Sequence, residues 1–453
     1  MGRFMTSSSP SRLLALAAVL IAACGGGAEE GEVATTAGGT PLVTAGGEAV
    51  NIEAHNRWNA ALEAFNAVGD RDWNEQKCSQ ISGMFEAAND AQGGNFTEAV
   101  YMRGLVAHKC GNVQEARSFY DRALETNATF CKARTGIGVL TLDAGNQGEA
   151  LAIFQRALRD DTRCTEAYVN LAAIQRARGG AEVRESLNNL RRALAIESDY
   201  LPAFNQMALL YLEQAQGDNN PQMLDLAGVV CRQAQLIDRD YAPIYNTWGL
   251  INVEKNNIIE ATQLFQRAIN LDPNMFAAYM NFGTITQSFR GYEDARTAFS
   301  RAVELQPNHY EAHIGLGAAL RGLGQVPQAQ AEYERAIQID ANRPEAYFNL
   351  GLVFQDYMSG SIEDLRRAKQ FYQQFLSKAG ANERFAEAVE NVRRTCRQQR
   401  QRGRRARRRS TDCRPGRIQN IDTAVEALGE AAQMQRQMEQ QQRQLQQQEG
   451  GGG

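Results

Sequence analysis

With 4 His in 453 residues, the chain has little from which to build a histidine-based metal centre or proton relay. Proline is sparse, 10 residues against 40 Gly, which points to short glycine-mediated helix ends and away from proline-rich linkers. The alternation of apolar and polar residues that marks half-buried strands hardly occurs. No glycine-rich phosphate loop follows a strand-like run. Only one apolar run exists, the eleven residues Leu13 to Ala23, so a polytopic membrane protein is excluded. No cysteine stands in a setting that pairs it with an activating histidine and positive charge, so a catalytic thiol is not expected. The chain reads as a non-enzyme that needs no cofactor and no metal.

What is present is an ordinary globular composition, 43% hydrophobic and 22% charged, in a length that suits two or three domains. The net charge of −4 hides an asymmetry: +2 in the first 23 residues and +11 in 393–417 leave −17 on the rest. Residues 1–23 read as a secretory signal, with Arg3 and Arg12 before the apolar stretch. The stretch ends in Ile21-Ala22-Ala23-Cys24, which resembles the bacterial lipoprotein box. That resemblance implies cleavage before Cys24 and acylation of its thiol. An ordinary cleaved signal with an incidental cysteine is the alternative. A myristoylation pattern from Gly2 and glycosylation sequons at Asn95 and Asn127 are set aside, because a secretory core follows the first and a bacterial setting removes the second. With Gly26 in place of the Asp that commonly retains such proteins in the inner membrane, the resemblance favours an outer-membrane, periplasm-facing protein. Residues 24–50, Gly- and Ala-rich with almost no large apolar group, read as a flexible tether spanning about 28 Å.

Internal periodicity decides the fold class. Small residues recur at Gly104, Gly138, Ala172, Ala208, Gly249, Gly283, Gly317 and Gly351. Ala123, Ala157, Ala193, Ala234, Ala268, Ala302 and Ala336 follow in register, each preceded by a bulkier residue: Tyr120, Phe154, Leu190, Cys231, Phe265, Phe299 and Tyr333. Tyr279, Phe282-Gly283, Ala295, Phe299, Ala302 and Pro307 together resemble the tetratricopeptide repeat, a helix-turn-helix of 34 residues. The resemblance implies an all-α solenoid, a right-handed superhelix. It contains eight good copies starting near 97, 131, 165, 201, 242, 276, 310 and 344, and a divergent one at about 54–93. The array with a closing helix occupies 51–398. Insertions at Gly217–Pro221 and Ser359–Ser361 are expected to lengthen the turns between paired helices.

In such arrays the first helices line a concave face. Asn170, Asn281 and Asn349 share one register there, where an amide can bond an extended peptide backbone or serve local helix contacts. Few cations lie on the first helices, so a clamp for a C-terminal carboxylate is not expected. His309 and His313, four apart, have no acidic or thiol partner to complete a metal site.

After Cys24, repeat geometry suggests pairing Cys78 with Cys110, Cys131 with Cys164, and Cys396 with Cys413, with Cys231 a buried free thiol; small core cysteines are the alternative. The Arg-rich segment 399–417, with Arg404, Arg405, Arg407, Arg408 and Arg409, suits anionic lipid or an acidic protein; behind a secretory signal, nucleic acid is the wrong partner. A solvated tail is the plain alternative. Residues 418–453 read as a Gln-rich tail, helical or disordered.

These readings combine into a non-catalytic outer-membrane lipoprotein whose array scaffolds envelope proteins. Its organisation resembles the repeat lipoproteins of myxobacterial adventurous gliding motility. A pilotin-like lipoprotein of secretin or pilus assembly and an adaptor regulating a cell-wall enzyme are the rivals.

Overall fold

The computed structural model describes residues 33–36, 39–68, 73–217, 220–358, 360–394 and 416–449, the last nine for backbone alone. Among them the chain forms nine helix pairs in sequence: α1 (Ile52–Ala67) with α2 (Glu75–Ala91), α3 (Thr97–Lys109) with α4 (Val113–Thr126), α5 (Cys131–Asp143) with α6 (Gln147–Asp160), and α7 (Thr165–Arg178) with α8 (Glu182–Ile196). Then come α9 (Leu201–Gly217) with α10 (Gln222–Ile237), α11 (Ala242–Glu254) with α12 (Ile258–Leu271), α13 (Phe276–Ser288) with α14 (Tyr292–Leu305), α15 (Tyr310–Gly322) with α16 (Val326–Ile339), and α17 (Glu345–Leu352) with α18 (Ile362–Ala379). A short α19 (Ala386–Arg393) and a long α20 (Arg417–Glu449) follow. The eight well-matched copies begin within one residue of their sequence register. The chain divides into two compact units, one ending at Ala278 and the other starting at Tyr279.

Within six of the pairs the packing is a glycine against a ring. Gly104 faces Tyr120, Gly249 faces Phe265 and Gly351 faces Tyr372. A Cβ added at these glycines would sit 2.6, 2.5 and 2.5 Å from the ring carbons, so only glycine lets the helices close onto those aromatics. Where alanine takes the small position, at Ala172 and Ala208, the ring is replaced by Leu190 and Cys231. The alanines that follow on the second helices, including Ala123, Ala157, Ala268 and Ala336, are 0% exposed. Asx turns close the joints between pairs: Asp161, Asp238, Asp272 and Asp340 each accept from the backbone N–H two residues on, at 2.8–2.9 Å. Between paired helices, Gly111, Gly145 and Gly324 take positive φ; Asn256 and Arg290 do the same without being glycine, at 59° and 63°.

Three expectations need correction. The insertions do more than lengthen turns. That in 201–241 extends α9 to 17 residues against 13 in α11. In the last pair, residues Val353–Tyr357 form a π-helical turn, which absorbs inserted length within a helix; the ring facing Gly351 is accordingly Tyr372, displaced from the regular spacing.

The tether reading of 24–50 does not hold over 33–50. This stretch folds into two antiparallel turns, bridged at Val33–Asn51, Thr35–Pro41 and Val43–Ala49, with Ala34 and Val50 buried at 2% and 3% exposure. The remainder, with Cys24, lies outside the described residues. The signal for these turns is a duplicated Thr-Ala-Gly-Gly, at 36–39 and again at 44–47. The N–H groups of Thr36 and Thr44 donate to the carbonyls of Thr40 and Glu48, whose N–H groups donate back to the threonine Oγ1 atoms, and Gly39 and Gly47 supply φ of 77° and 85°.

The boundary at 417 also moves. Arg417 belongs to the end of the array: its Nη1 donates to Gln355 Oε1 at 2.8 Å, to Asp356 Oδ2 at 3.2 Å and to the Tyr372 hydroxyl at 3.3 Å. Ile421, 1% exposed, enters the core of the second unit beside Tyr372 and Phe375. Beyond it, α20 leaves Leu428, Met434 and Met438 exposed. Among the described residues no helix is long and apolar enough to cross a membrane.

Candidate functional site: the faces of the first helices

The first helices present mixed faces of half-buried apolar residues and amides. In the first unit Leu105, Val139, Leu209 and Leu250 are half-buried, and in the second Met280, Ile314 and Phe348. Asn170, 7% exposed, and the half-buried Asn349 stand two residues before the small positions Ala172 and Gly351. Each amide Nδ2 donates to the carbonyl four residues back, Glu166 at 2.8 Å and Glu345 at 2.9 Å. That bond uses one of two N–H groups and sets the rotamer, so local contact and ligand contact are not exclusive. Asn281, half-buried, holds the same register in the second unit. Asn205, one place earlier, accepts from the Thr247 hydroxyl at 2.7 Å and is tied to the next pair.

Side-chain contacts join consecutive first helices of the first unit near their C-terminal ends. His108 lies 3.7 Å from Asp143, and Arg176 reaches Glu213 and Gln206, the latter at 3.2 Å. Arg176 is only 7% exposed. Burial draws its pKa down and pushes that of Glu213 up, while their mutual attraction opposes both shifts. At the other end of these helices stand Glu98, Lys132 and Glu166, with Lys132 Nζ 3.8 Å from Glu166. Glu98 has a raised pKa, first because it is buried. Its Oε1 accepts the Ala45 N–H at 2.7 Å.

Sulfur chemistry ties pairs together. Cys78 on α2 is bonded to Cys110, which caps α3, with Cα atoms 6.3 Å apart. Cys131, opening α5, is bonded to Cys164, just before α7, at 5.8 Å. Each bridge links one pair to the next. Cys231 is a free thiol in the core, its pKa pushed up to about 12 by burial. Cys396, Cys413 and Arg404, Arg405, Arg407, Arg408 and Arg409 lie outside the described residues.

The two histidines of the second unit part company. His309 caps α15, its Nδ1 accepting from Ala312 N at 3.3 Å. His313 sits between Glu332 Oε2, 2.6 Å from Nδ1, and the Pro307 carbonyl, 3.0 Å from Nε2. Both ring nitrogens face acceptors, an arrangement that suits the imidazolium. The pKa of His313 is raised, first by the bond to Glu332. The sequence offered the acid partner nineteen residues on, in the next helix, where linear spacing gives no cue.

Comparison with known proteins agrees with the geometry. Residues 97–130 match the model described as a tetratricopeptide repeat, and 319–356 match a second, described as a TPR repeat. Human protein O-mannosyl-transferase TMTC1 is 25% identical over 185 residues, 40% of this chain and 20% of that protein. Human tetratricopeptide repeat protein 7A is 29% identical over 83 residues, 18% of this chain and 10% of that protein. The chain thus spans a fifth or less of these curated relatives. Among solved structures, a chain of the APC/C hetero-tetramer Cut9-Hcn1 overlays with a TM-score of 0.52 at 13% identity, covering 66% of this chain and 55% of that one. The chain is an all-α tetratricopeptide-repeat solenoid, a fold that serves protein–protein interaction.

Proposed function

We propose that this protein is a lipid-anchored, non-catalytic scaffold of the bacterial outer membrane, facing the periplasm, whose first-helix faces hold extended segments of other envelope proteins. The placement is supported by Ile21-Ala22-Ala23-Cys24 with Gly26. It is carried above all by the two bridges, Cys78–Cys110 and Cys131–Cys164, since disulfides persist in oxidising compartments and are rare in the cytosol. The partner reading is supported by the half-buried amides of Asn281 and Asn349, the latter oriented by its own helix beside the half-buried Phe348; Asn170 in the same register is buried. Such a face suits main-chain hydrogen bonding with apolar side-chain contacts. The basic stretch 395–415, with nine Arg and one Asp, adds attraction for phosphate-bearing lipid headgroups or an acidic protein surface.

Within this class, a place in a gliding-motility assembly is the reading we adopt, on the strength of the domain organisation. Purification of the intact protein from cross-linked envelopes tests it. Motility-complex proteins are expected to dominate the eluate; a secretin, or murein synthases and hydrolases, in their place would replace the motility role with pilotin or adaptor function. Mass spectrometry of the N-terminal peptide is expected to find Cys24 acylated, and an unmodified Cys24 would remove the membrane half of the proposal.

A further inference from the structure

The two turns at 33–51 are held by side chains of the array and by their own backbone bonds. Asn51 N–H donates to Gln92 Oε1 at 3.0 Å, and Gln92 Nε2 returns a bond to the Ala49 carbonyl at 2.8 Å. Farther along, one residue is gripped at both main-chain groups: the Ala45 N–H donates to Glu98 Oε1 at 2.7 Å, and the Ala45 carbonyl accepts from Asn127 Nδ2 at 2.6 Å. The two gripping residues come from α3 and from the joint after α4. Leu42 packs among the apolar residues of the first pair, and Thr44 is 3% exposed.

Asn127 differs from most residues in its register. At four of the six equivalent joints stand Asp161, Asp238, Asp272 and Asp340, which accept from the backbone N–H two residues on but have no hydrogen to give; Glu197 and Gln306 hold the other two. Asn127 Oδ1 makes that same bond, to Thr129 N at 3.0 Å, and its Nδ2 is left to hold Ala45. An acid at 127 would turn a carboxylate toward the Ala45 carbonyl. Glu98 is the matching acceptor: its Oε1 takes the Ala45 N–H, and its Oε2 is buried with no partner among the described residues.

We infer that residues 33–51 are a clip that fastens the N-terminal arm to the first two helix pairs, leaving the nine residues 24–32 as the tether. This rests on the reading of Cys24 as the acylated residue. Nine residues reach about 30 Å at full extension, whereas the twenty-six from Cys24 to Val50 would reach about 90 Å. The clip therefore holds this edge of the array beside the lipid surface, in place of letting it roam.

Hydrogen exchange on the full chain tests the clip. The amides of Ala34, Leu42, Ala45 and Val50, all bonded in the structure, are expected to be protected. Asn127→Asp and Glu98→Ala are each expected to speed their exchange by about tenfold or more, and Asp161→Asn, at the next joint, to leave it unchanged. Unprotected amides in the parent chain, or exchange indifferent to both variants, would overturn the clip. A second arm uses the intact acylated protein in phosphatidylethanolamine–phosphatidylglycerol vesicles, with a donor dye at the exposed position 90 and an acceptor in the lipid. Energy transfer is expected to fall in Asn127→Asp; equal transfer in both would overturn the short tether. An unacylated Cys24 by mass would sink the lipoprotein reading and the distance claim with it, while the exchange arm still decides the clip.

Discussion

Gly249→Ala tests the glycine–ring packing that six of the nine helix pairs share. In an exposed helix interior, Gly→Ala stabilises by about 0.5–1 kcal/mol, because glycine loses more backbone entropy on folding. Gly83 in α2 is such a site, with nothing within 4 Å of an added Cβ. At Gly249 the added carbon would lie 2.5 Å from Phe265 Cε1, and Phe265 is 1% exposed, so the ring has nowhere to go. Overpacking a well-filled core costs about 1–3 kcal/mol. The expected difference between the two substitutions is therefore about 1–3 kcal/mol, with Gly83→Ala stabilising and Gly249→Ala neutral or destabilising. The chain itself supplies the compensating pair, since Ala172 stands in register with Leu190. Gly249→Ala with Phe265→Leu is expected to cost less than the sum of the singles, by about 1 kcal/mol or more. Hydrogen exchange of the α12 amides reads this locally, which matters in an array whose pairs need not unfold together. Equal stabilisation by Gly249→Ala and Gly83→Ala, or strict additivity of the double variant, would refute the reasoning.

Further outcomes are expected. His313 has a folded pKa raised above 6.5 by Glu332, so its contribution is fully present below about pH 6.5 and fades as pH climbs through the raised value; thermal melts from pH 6 to 9 should lose this slope in His313→Gln. Asn256→Gly and Arg290→Gly relieve positive φ and should each stabilise by about 0.5–1 kcal/mol in urea titrations. Removing either disulfide, with sequence separations of 32 and 33, should cost about 3–4 kcal/mol by chain entropy, seen as a lower midpoint in Cys78→Ser or Cys131→Ser. Ile421→Asp places a charge in the second unit's core and should release α20, read as faster exchange of amides 418–425 with α17 unchanged.

The array was legible because its packing repeats. One glycine–ring contact is weak evidence, but the same contact at a constant spacing has a single physical cause, and the helix starts follow from it. Cys78 and Cys110 were legible for the same reason, since stacked pairs bring those ends together. The clip was not. Its residues are small and polar, and composition alone reads them as solvated chain; what orders them is contact with Glu98 and Asn127, far away in sequence, and a turn whose only trace is a tetrapeptide written twice. The docking of α20 was hidden in the opposite way. Arg417 closes a run of arginines and reads as one of them, yet Asp356 and Tyr372 claim it for the core. The Asn register was visible, but whether an amide serves its own helix or a ligand is a matter of side-chain geometry, and at Asn170 and Asn349 the geometry serves the helix first.

The central claim is that the first-helix faces hold another polypeptide. Site-specific photo-crosslinking in intact cells tests it most directly, with the reactive residue at Leu209 on α9 or the exposed Thr284 on α13, and at the exposed Glu125 and Glu304 on second helices for contrast. Discrete adducts with another protein are expected from 209 and 284 and not from 125 and 304. Adducts confined to the second helices, or none from any of the four, would contradict it.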